Sequence, residues 1–431
     1  MQIRTLLFII ALISFFIYLK SFLNPPLSTF PIQGDGEAHY AYLPALILDR
    51  DISVSEPSKY ESNREYFQYP AFNLWPETGK YLNKYPPGTA ILVLPFFFLA
   101  TLFSLISHQT LGGYNIIYRF LVGAAASFYL FSGLVLLKKA YRQFFSKKIT
   151  SLTLICLVFS SSLFHYTVFD SLYSHVFAFF AISLSFYLIL KWHEKPNSFY
   201  LSTFLGISFG LNFLIRNSNI FIFLFFLLYS IYSPASFKTK LKAFLKNHKN
   251  IFVILIFTFL SSLPQLIYYR YITGHWWIFS YKNESFNWLN PTWYGVLLSP
   301  RKGLFFWAPV FLVCLPGFIP KKKIPTWYLA SLVFLFLQTY IIASWHQWWY
   351  GDSFGHRGFI DSYPIIGLFF ARGLEFLDKG IRRYFAYLFL ILCILLNLFL
   401  VNLYWQHYLP RDHTTFAAFL KVLGIIGINR M

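Results

Sequence analysis

Runs of apolar residues, each long enough to form a membrane-crossing helix of roughly 20 residues, alternate with short polar segments along almost the whole chain. This pattern predicts an all-α polytopic membrane protein with about eleven transmembrane helices, organised as a single domain over residues 1–431. The predicted spans are 4–23, 115–137, 150–169, 173–191, 199–215, 217–234, 251–271, 304–320, 325–344, 359–373 and 384–404.

Basic residues collect in the short segments between these runs, for example around 138–148, 238–249 and 379–383. The positive-inside rule places such clusters in the cytoplasm. The predicted protein is therefore a multi-pass protein of the inner (cytoplasmic) membrane with its N-terminus in the cytoplasm. Its outer face then carries the segments 24–114, 272–303 and 345–358, so we expect any active site to face the outside or periplasm.

Composition agrees with this class, since 57% of the residues are hydrophobic and 12% are charged. Soluble proteins of this length are typically about 25% charged. The net charge of +20 could indicate nucleic-acid binding, but the basic residues lie between apolar runs rather than on one basic domain. The charge therefore indicates membrane orientation, and we expect no nucleic-acid partner.

Residues 87–107 are apolar and long enough to cross the bilayer. A crossing here would place the basic cluster at 138–148 outside and break the charge pattern of the whole chain. Prolines start and kink helices, and Pro86, Pro87 and Pro95 occur here. We therefore predict a re-entrant or interfacial helix pair that stays on the outer side of the membrane.

The first outer segment, 24–114, is rich in acids and carries the first candidate for chemistry. It holds half of the 16 acidic residues: Asp35, Glu37, Asp49, Asp51, Glu56, Glu61, Glu65 and Glu77. Glycines on both sides of Asp35 allow a sharp turn that directs its carboxylate into a cleft, as a general base or a cation ligand requires. The alternative is an Asx-type turn that caps a helix beginning near Ala38.

Three further polar residues stand out, each with a structural alternative. Lys84, before Pro86 and Pro87, could bind a phosphate or snorkel to the interface as an anchor. Asp170, at the outer end of a predicted span, is a functional candidate or the N-cap of the next helix. Arg216 breaks a pair of short spans and needs an anionic partner, either a protein carboxylate or a lipid phosphate; we favour the phosphate.

The segment from Trp345 to Phe359 combines interfacial aromatic residues with glycine-spaced cations. His356 and Arg357, on flexible backbone, suggest an anion site beside aromatic walls that also suit sugar rings. The loop 272–303 could add to the same cleft or only lie on the interface. Its Asn283-Glu284-Ser285 triplet matches a glycosylation acceptor, but such matches are common by chance.

Motifs of soluble cofactor or ATP chemistry are absent from the sequence, since it contains no P-loop and no dinucleotide fingerprint. The order of the motifs above resembles the GT-C superfamily of membrane glycosyltransferases, in particular bacterial relatives of protein O-mannosyltransferases and of the lipid A aminoarabinose transferase. The resemblance extends from the first span to about residue 375. It rests on Gly34-Asp35-Gly36-Glu37, Lys84-Tyr85-Pro86-Pro87, Asp170, Arg216 and the Gly351-to-Arg357 turn.

The resemblance implies a glycosyltransferase that moves a hexosyl or pentosyl group from a polyprenyl-phosphate donor to a lipid, glycan or protein acceptor at the outer membrane face, with inversion. Asp35 would be the general base, and Glu37 and Asp170 would complete the catalytic site. The donor phosphate would be held by Lys84, Arg216, His356 and Arg357. The substrate cleft would include His39, Tyr40, Tyr85, Trp349 and Asp352.

The resemblance leaves a divalent metal open as a cofactor, with Asp35 and Asp170 as its ligands and with Glu37 or His175 completing a metal or polar site. The chain departs from the protein mannosyltransferases, because a glycine separates Asp35 from Glu37. This departure puts the metal and the acceptor in doubt.

Three other classes of protein remain as alternatives. A polytopic transporter or flippase of lipid-linked saccharides would place ionisable residues near the middle of its spans, whereas the acids here fall in loops. An O-antigen ligase or polymerase would concentrate its function in one large late outer loop. A non-catalytic scaffold would need none of these residues for sugar transfer.

Overall fold

Helices form nearly all of the regular structure in the computed structural model, which describes residues 3–24, 30–60, 71–282, 284–320, 323–422 and 424. The helices are α1 Ile3–Leu23, α2 Asp35–Leu43, α3 Gly88–Ile106, α4 Ile116–Tyr141, α5 Lys147–Phe159, α6 Ser162–Val168, α7 Ser174–Glu194, α8 Phe199–Ile215, α9 Ile222–Leu228, α10 Pro234–Lys246, α11 His248–Thr273, α12 Trp293–Leu298, α13 Leu304–Trp307, α14 Tyr328–Ser344, α15 Tyr363–Leu377, α16 Arg382–Trp405 and α17 Phe416–Val422. Shorter 3₁₀ segments are Pro57–Lys59, Asn217–Phe221, Pro309–Phe318 and Arg357–Ser362, and Pro44–Leu48 forms a π-helix.

Among the described residues, six helices are long and apolar enough to cross a membrane, namely α1, α3, α4, α7, α11 and α16. The pair α5 and α6 makes a seventh candidate if the two helices, bent by 62° at their junction, form one broken span. Shorter apolar helices are Phe199–Ile215, Asn217–Leu228, Pro309–Phe318 and Tyr328–Ser344. The predicted all-α polytopic class is therefore confirmed, while the span count of about eleven stays a prediction.

The segment predicted as a helix pair near 87–107 is the single helix α3 in the structure, with Pro95 inside it. It runs antiparallel to α4. The Tyr118 hydroxyl, early in α4, donates to Thr101 Oγ1, late in α3, whereas the Tyr129 hydroxyl, further along α4, donates to the Leu92 carbonyl, early in α3. The prediction of two helices in this segment was therefore wrong. The placement of this segment on the outer side stays a prediction.

The long segment between α1 and α3 folds back onto the helix bundle. It contains α2, the π-helix, and an antiparallel hairpin of β1 Phe72–Trp75 and β2 Lys80–Asn83, in which Phe72 pairs with Asn83. Phe72 and Tyr60 lie in a small core beneath this segment together with Val54. The predicted Glu61 and Glu65 of this segment lie outside the described residues.

Two pairs of helices pack extensively in the bundle. Helices α4 and α7 pack together, and α8 packs closely against α11. The close approach depends on Gly206 of α8, since a Cβ there would lie 2.5 Å from the Ile254 carbonyl oxygen. Small residues permit such helix contacts in membranes. The start of α7 and the end of α8 lie at the same end of the bundle as Asp35.

Candidate active site

A cavity of about 730 Å³ lies at this end of the bundle. Its walls come from the start of α2, the Lys84 turn, the ends of α8 and α14, the loop after α11, and the segments around 350–361 and 404–411. It brings together eight of the predicted residues: Asp35, His39, Lys84, Tyr85, Asp170, Arg216, Asp352 and Arg357. Residues more than 300 positions apart in sequence therefore share one chamber.

Asp35 is held at the cavity wall by the local geometry of Gly34. Gly34 occupies the N-cap of α2 with φ of 54°, and a Cβ there would collide with the hydroxyl of Tyr173. Glycine meets both requirements. Helix α2 consequently begins at Asp35 rather than near Ala38, and its N-cap is Gly34 rather than Asp35. The capping alternative for Asp35 is therefore wrong.

The carboxylate of Asp35 instead pairs with Arg357, whose Nη1 lies 2.7 Å from Asp35 Oδ2. Burial raises the pKa of Asp35, but the positive charges of Arg357 and Lys84 outweigh it and lower that pKa to about 2. The position in the first turn of α2 also favours a carboxylate. His39 is buried, and burial lowers its pKa to about 3, so its ring is uncharged at neutral pH.

Lys84 is buried in the cavity wall and does not snorkel, so the interfacial-anchor alternative is wrong. Its Nζ lies 2.7 Å from Glu284 Oε1, and the side chains of both residues are less than 8% exposed. Burial raises the pKa of Glu284 against the opposing effect of Lys84. The loop after α11 therefore contributes an acid to the cavity. The Asn283 of the glycosylation match lies outside the described residues.

Arg216 ends α8 in an extended conformation and points to an acid from a distant segment. Its Nε lies 3.0 Å from Asp361 Oδ2. The same carboxylate accepts from Asn219 Nδ2 at 3.1 Å and contacts His175 Nδ1 at 3.2 Å. His175 is thus a partner of Asp361 and not of Asp170. The polar break after α8 is therefore an anchored ion-pair network, and the role of Arg216 with a phosphate stays a prediction.

Asp170 also lines the cavity but takes part in a separate network. It accepts a hydrogen bond from Gln33 Nε2 at 3.0 Å, and its other oxygen lies 2.9 Å from His165 Nε2. The indole nitrogen of Trp405 donates to His165 Nδ1, which leaves the proton on Nε2 for Asp170. Tyr173 is the N-cap of α7, so the N-cap alternative for Asp170 is wrong.

Four predicted site residues do not line the cavity. Glu37 is buried elsewhere in α2, and the Tyr40 hydroxyl donates to the Gly113 carbonyl. The ring of Trp349 stacks under the guanidinium of Arg301, 3.6 Å from the ring centroid.

The fourth of these residues, His356, packs between the rings of Tyr350 and Phe359. Burial lowers the pKa of His356 to about 3, so its ring carries no charge for a phosphate. Adjacent side chains leave the backbone in different directions, so His356 points into the protein while Arg357 points into the cavity.

The residues proposed as metal ligands do not fit a metal. Asp35 is engaged by Arg357, while Asp170 is engaged by Gln33 and His165. Within the described ranges, no group of three His, Cys, Asp or Glu side chains is arranged to hold a metal ion. We therefore assign no step of the chemistry to a metal.

Apolar and aromatic side chains also line the cavity. They include Trp277, Phe279 and Phe286 from the loop after α11, and Ile341 and Ile342 of α14. Trp277 is 67% exposed and Phe279 is 51% exposed. The cavity lining therefore combines ion pairs with exposed rings.

Sequence reasoning missed the partners of the predicted cations. Glu284 was noticed only inside a glycosylation match, and Gln33 and His165 were not singled out. Asp361 did carry a signal, because it is an ionisable residue inside the predicted span 359–373, and such residues are functional candidates by default. The pairings themselves depend on contacts between distant segments.

Comparison with known proteins gives matches among solved structures, whereas no family model and no curated protein matches the chain. The apo crystal structure of the Archaeoglobus fulgidus oligosaccharyltransferase is similar, with a TM-score of 0.49 and 11% identity over 93% of this chain and 55% of that one. The archaeal oligosaccharyltransferase AglB from Archaeoglobus fulgidus, in complex with an inhibitory peptide and a dolichol-phosphate, has a TM-score of 0.47 at 11% identity, over 93% of this chain and 55% of that one.

A third similar structure is the complex of that oligosaccharyltransferase with Zn and sulfate. Its TM-score is 0.47 at 13% identity, over 91% of this chain and 52% of that one. All three neighbours are oligosaccharyltransferases. The chain spans about half the length of these structures, and the similarities identify neither its donor nor its acceptor.

Proposed function

We propose that the chain is a membrane glycosyltransferase that moves a sugar from a polyprenyl-phosphate donor to a lipid, glycan or protein acceptor at the outer membrane face, with inversion. The observation that carries the proposal is the Asp35–Arg357 pair in a cavity that also holds Lys84 and Arg216. One chamber thus combines an acid that can take a proton with three cations that can hold a phosphate.

The cations suit a lipid-linked sugar phosphate. Arg357 and Arg216 carry planar guanidinium groups that bind phosphate oxygens in pairs, and Lys84 adds a compact charge. Each is already held by one carboxylate, from Asp35, Asp361 and Glu284 respectively. These carboxylates therefore keep the cations oriented and the charge of the chamber nearly balanced until an anionic ligand competes for them.

The apolar residues of the cavity lining suit the lipid tail of such a donor. A polyprenyl chain gains stability by contacting apolar surface, and Trp277, Phe279 and Ile341 of the lining provide it. In this arrangement the phosphate lies at the cations, and the sugar lies between the phosphate and Asp35. The acceptor hydroxyl then approaches the anomeric carbon from the Asp35 side.

The proposed transfer is a single displacement. The acceptor oxygen forms a bond to the anomeric carbon, and its proton passes to the carboxylate of Asp35. The bond from that carbon to the phosphate oxygen breaks, and its electron pair stays on the phosphate. Lys84, Arg216 and Arg357 stabilise the negative charge that develops there. Attack opposite the leaving group inverts the anomeric configuration.

The Asp35–Arg357 pair also suggests an order of events. With Arg357 at 2.7 Å, Asp35 has a pKa of about 2 and is a weak base. A donor phosphate that attracts Arg357 weakens this pair, and the pKa of Asp35 then rises because its burial is no longer offset. Donor binding consequently activates the base, so we propose that the donor binds before the acceptor.

The test uses purified full-length protein in nanodiscs with radiolabelled polyprenyl-phosphate sugars and lipid extract as acceptor. We expect transfer by the unaltered chain and a loss of roughly 10²- to 10⁴-fold in the rate for Asp35→Asn. Glu77→Gln is the matched control, because it removes one exposed acid from the same outer segment.

Two outcomes would overturn the proposal. Equal transfer by the unaltered chain and Asp35→Asn would exclude Asp35 as the base. In sealed proteoliposomes, movement of the lipid-linked sugar across the bilayer without any transfer would instead identify a flippase. Analysis of the anomeric configuration of the product tests inversion separately.

A further inference from the structure

Helix α10 lies at the end of the bundle opposite the cavity. It contacts the last turn of α7, where His193 lies about 27 Å along the helix from His175 near the cavity. It is followed at once by α11, which is long and apolar enough to span a membrane. Helix α10 is therefore positioned near the level at which that span ends.

One face of α10 is anchored to the bundle by Lys240 and Phe244. Lys240 Nζ donates to the carbonyl oxygens of Phe226 and Tyr229, at 2.9 and 2.8 Å, and lies 2.7 Å from His193 Nε2. These three contacts match the three N–H groups of an ammonium. The ring of Phe244 stacks on that of Phe226. The helix consequently has a fixed rotation about its axis.

This rotation exposes an apolar stripe beside a basic one. Phe237, Leu241 and Leu245, four residues apart, are 52%, 49% and 64% exposed. One position further along, Lys238, Lys242 and Lys246 are exposed as well. The helix contains no acidic residue. Going around the helix, the face on the bundle is therefore followed by an apolar stripe and then by a lysine stripe.

We propose that α10 binds the anionic surface of the membrane on the side opposite the cavity, with its apolar stripe among the upper acyl chains and its lysines at the lipid phosphates. Apolar stripes flanked by lysines have this position in interfacial helices. A stripe of three large apolar side chains is poorly suited to water, and three lysines beside it suit a negatively charged lipid surface rather than a basic or neutral protein partner.

Spin labels measure the depth of α10 in the full-length protein. Cysteines replace Leu241 of the apolar stripe or Thr239, which is exposed beyond the lysine stripe. The three native cysteines are buried, and the unaltered chain controls for their labelling. In nanodiscs of phosphatidylcholine and phosphatidylglycerol, the label at 241 should be relaxed by oxygen dissolved in the acyl region. The label at 239 should be relaxed by a water-soluble nickel chelate.

The charge dependence is tested with the variant Lys238→Gln/Lys242→Gln/Lys246→Gln. In discs with phosphatidylglycerol, the ratio of oxygen to nickel accessibility at 241 should fall, because each lysine removed weakens the association of α10 with the lipid surface by roughly fivefold. With all three lysines in place, the same ratio should also be lower in discs of phosphatidylcholine alone than in discs with phosphatidylglycerol. The matched control Lys139→Gln/Arg142→Gln/Lys147→Gln removes equal charge from other exposed positions and should leave the ratio unchanged.

Two results would overturn the inference. A label at 241 that is accessible to nickel in both kinds of disc would place the apolar stripe in water. A label shielded from both reagents would mean that protein, such as a second copy of the chain, covers the stripe. Neither result depends on the proposed sugar transfer.

Discussion

Lys84 and Glu284 form a buried ion pair with 2.7 Å between Nζ and Oε1, although 200 positions separate them in the chain. The pair joins the turn before α3 to the loop after α11. It therefore contributes one wall of the cavity and holds a cation proposed for the donor phosphate. A buried charge that loses its partner keeps its desolvation cost, so both residues depend on each other.

This dependence predicts strong coupling between the two residues. Lys84→Ala and Glu284→Ala should each lower the unfolding free energy by about 3 kcal/mol, because each removes the ion-pair partner of a buried charge. The double variant should lose less than the sum of the two single losses. Thermal unfolding in detergent, compared across the four proteins, measures the coupling. Simple additivity would show that the ion pair does not form.

Asp35 and a phosphate compete for Arg357, so removing the Asp35 carboxylate should tighten the binding of the phosphate. Asp35→Asn should bind sugar-free polyprenyl phosphate roughly fivefold more tightly, because a partly exposed ion pair contributes up to about 1 kcal/mol and no longer opposes the ligand. Calorimetric titration of the protein in nanodiscs gives the affinity. Glu77→Gln controls for the loss of one negative charge. Weaker binding of the phosphate by Asp35→Asn would contradict the proposal that Arg357 leaves Asp35 for the phosphate.

The pH dependence of transfer should change when Arg357 is removed. In the unaltered chain the pKa of Asp35 is about 2, so below neutral pH the free enzyme keeps an ionised base. In Arg357→Gln the pKa of Asp35 rises, since burial raises it and the neighbouring charge is gone. The proton-accepting form is then lost at a higher pH.

We therefore expect kcat/KM of Arg357→Gln to fall on the acid side, at a pH where that of the unaltered chain is constant. The rate profile between pH 4 and 8 shows this as a new acid limb, at about the pKa of Asp35 in the variant. Parallel profiles for the two proteins would mean that Asp35 does not accept the proton.

His356 and its neighbour Arg357 should respond differently to substitution. His356→Leu should lower the unfolding free energy by about 1 to 3 kcal/mol, because its ring is packed between Tyr350 and Phe359. The KM of the His356→Leu variant for the donor should change little, since His356 lies outside the cavity lining. Arg357→Leu should raise that KM. Thermal unfolding and donor titration of both variants separate these effects, and a large KM increase for His356→Leu would return His356 to the phosphate site.

Local sequence patterns predicted the helical class and several of the residues that share the cavity. Asp35 was found because glycines surround an acid in an apolar protein, and Arg216 because a cation interrupts an apolar run. Both signals are local, and the cost of placing a charge near a membrane makes them strong. The same reasoning failed for His356 and Trp349, because it assumed that neighbours in sequence share one chamber.

The sequence by itself determined that this chain is a polytopic helical membrane protein and which ionisable residues lie at the ends of its helices, because apolar length and charge act locally. Only the tertiary structure decided that Asp35 pairs with Arg357, Lys84 with Glu284 and Arg216 with Asp361. Each of these pairs joins segments that are distant in sequence. Their formation depends on how the helices pack, and a buried charge accepts whichever partner that packing brings within hydrogen-bonding distance.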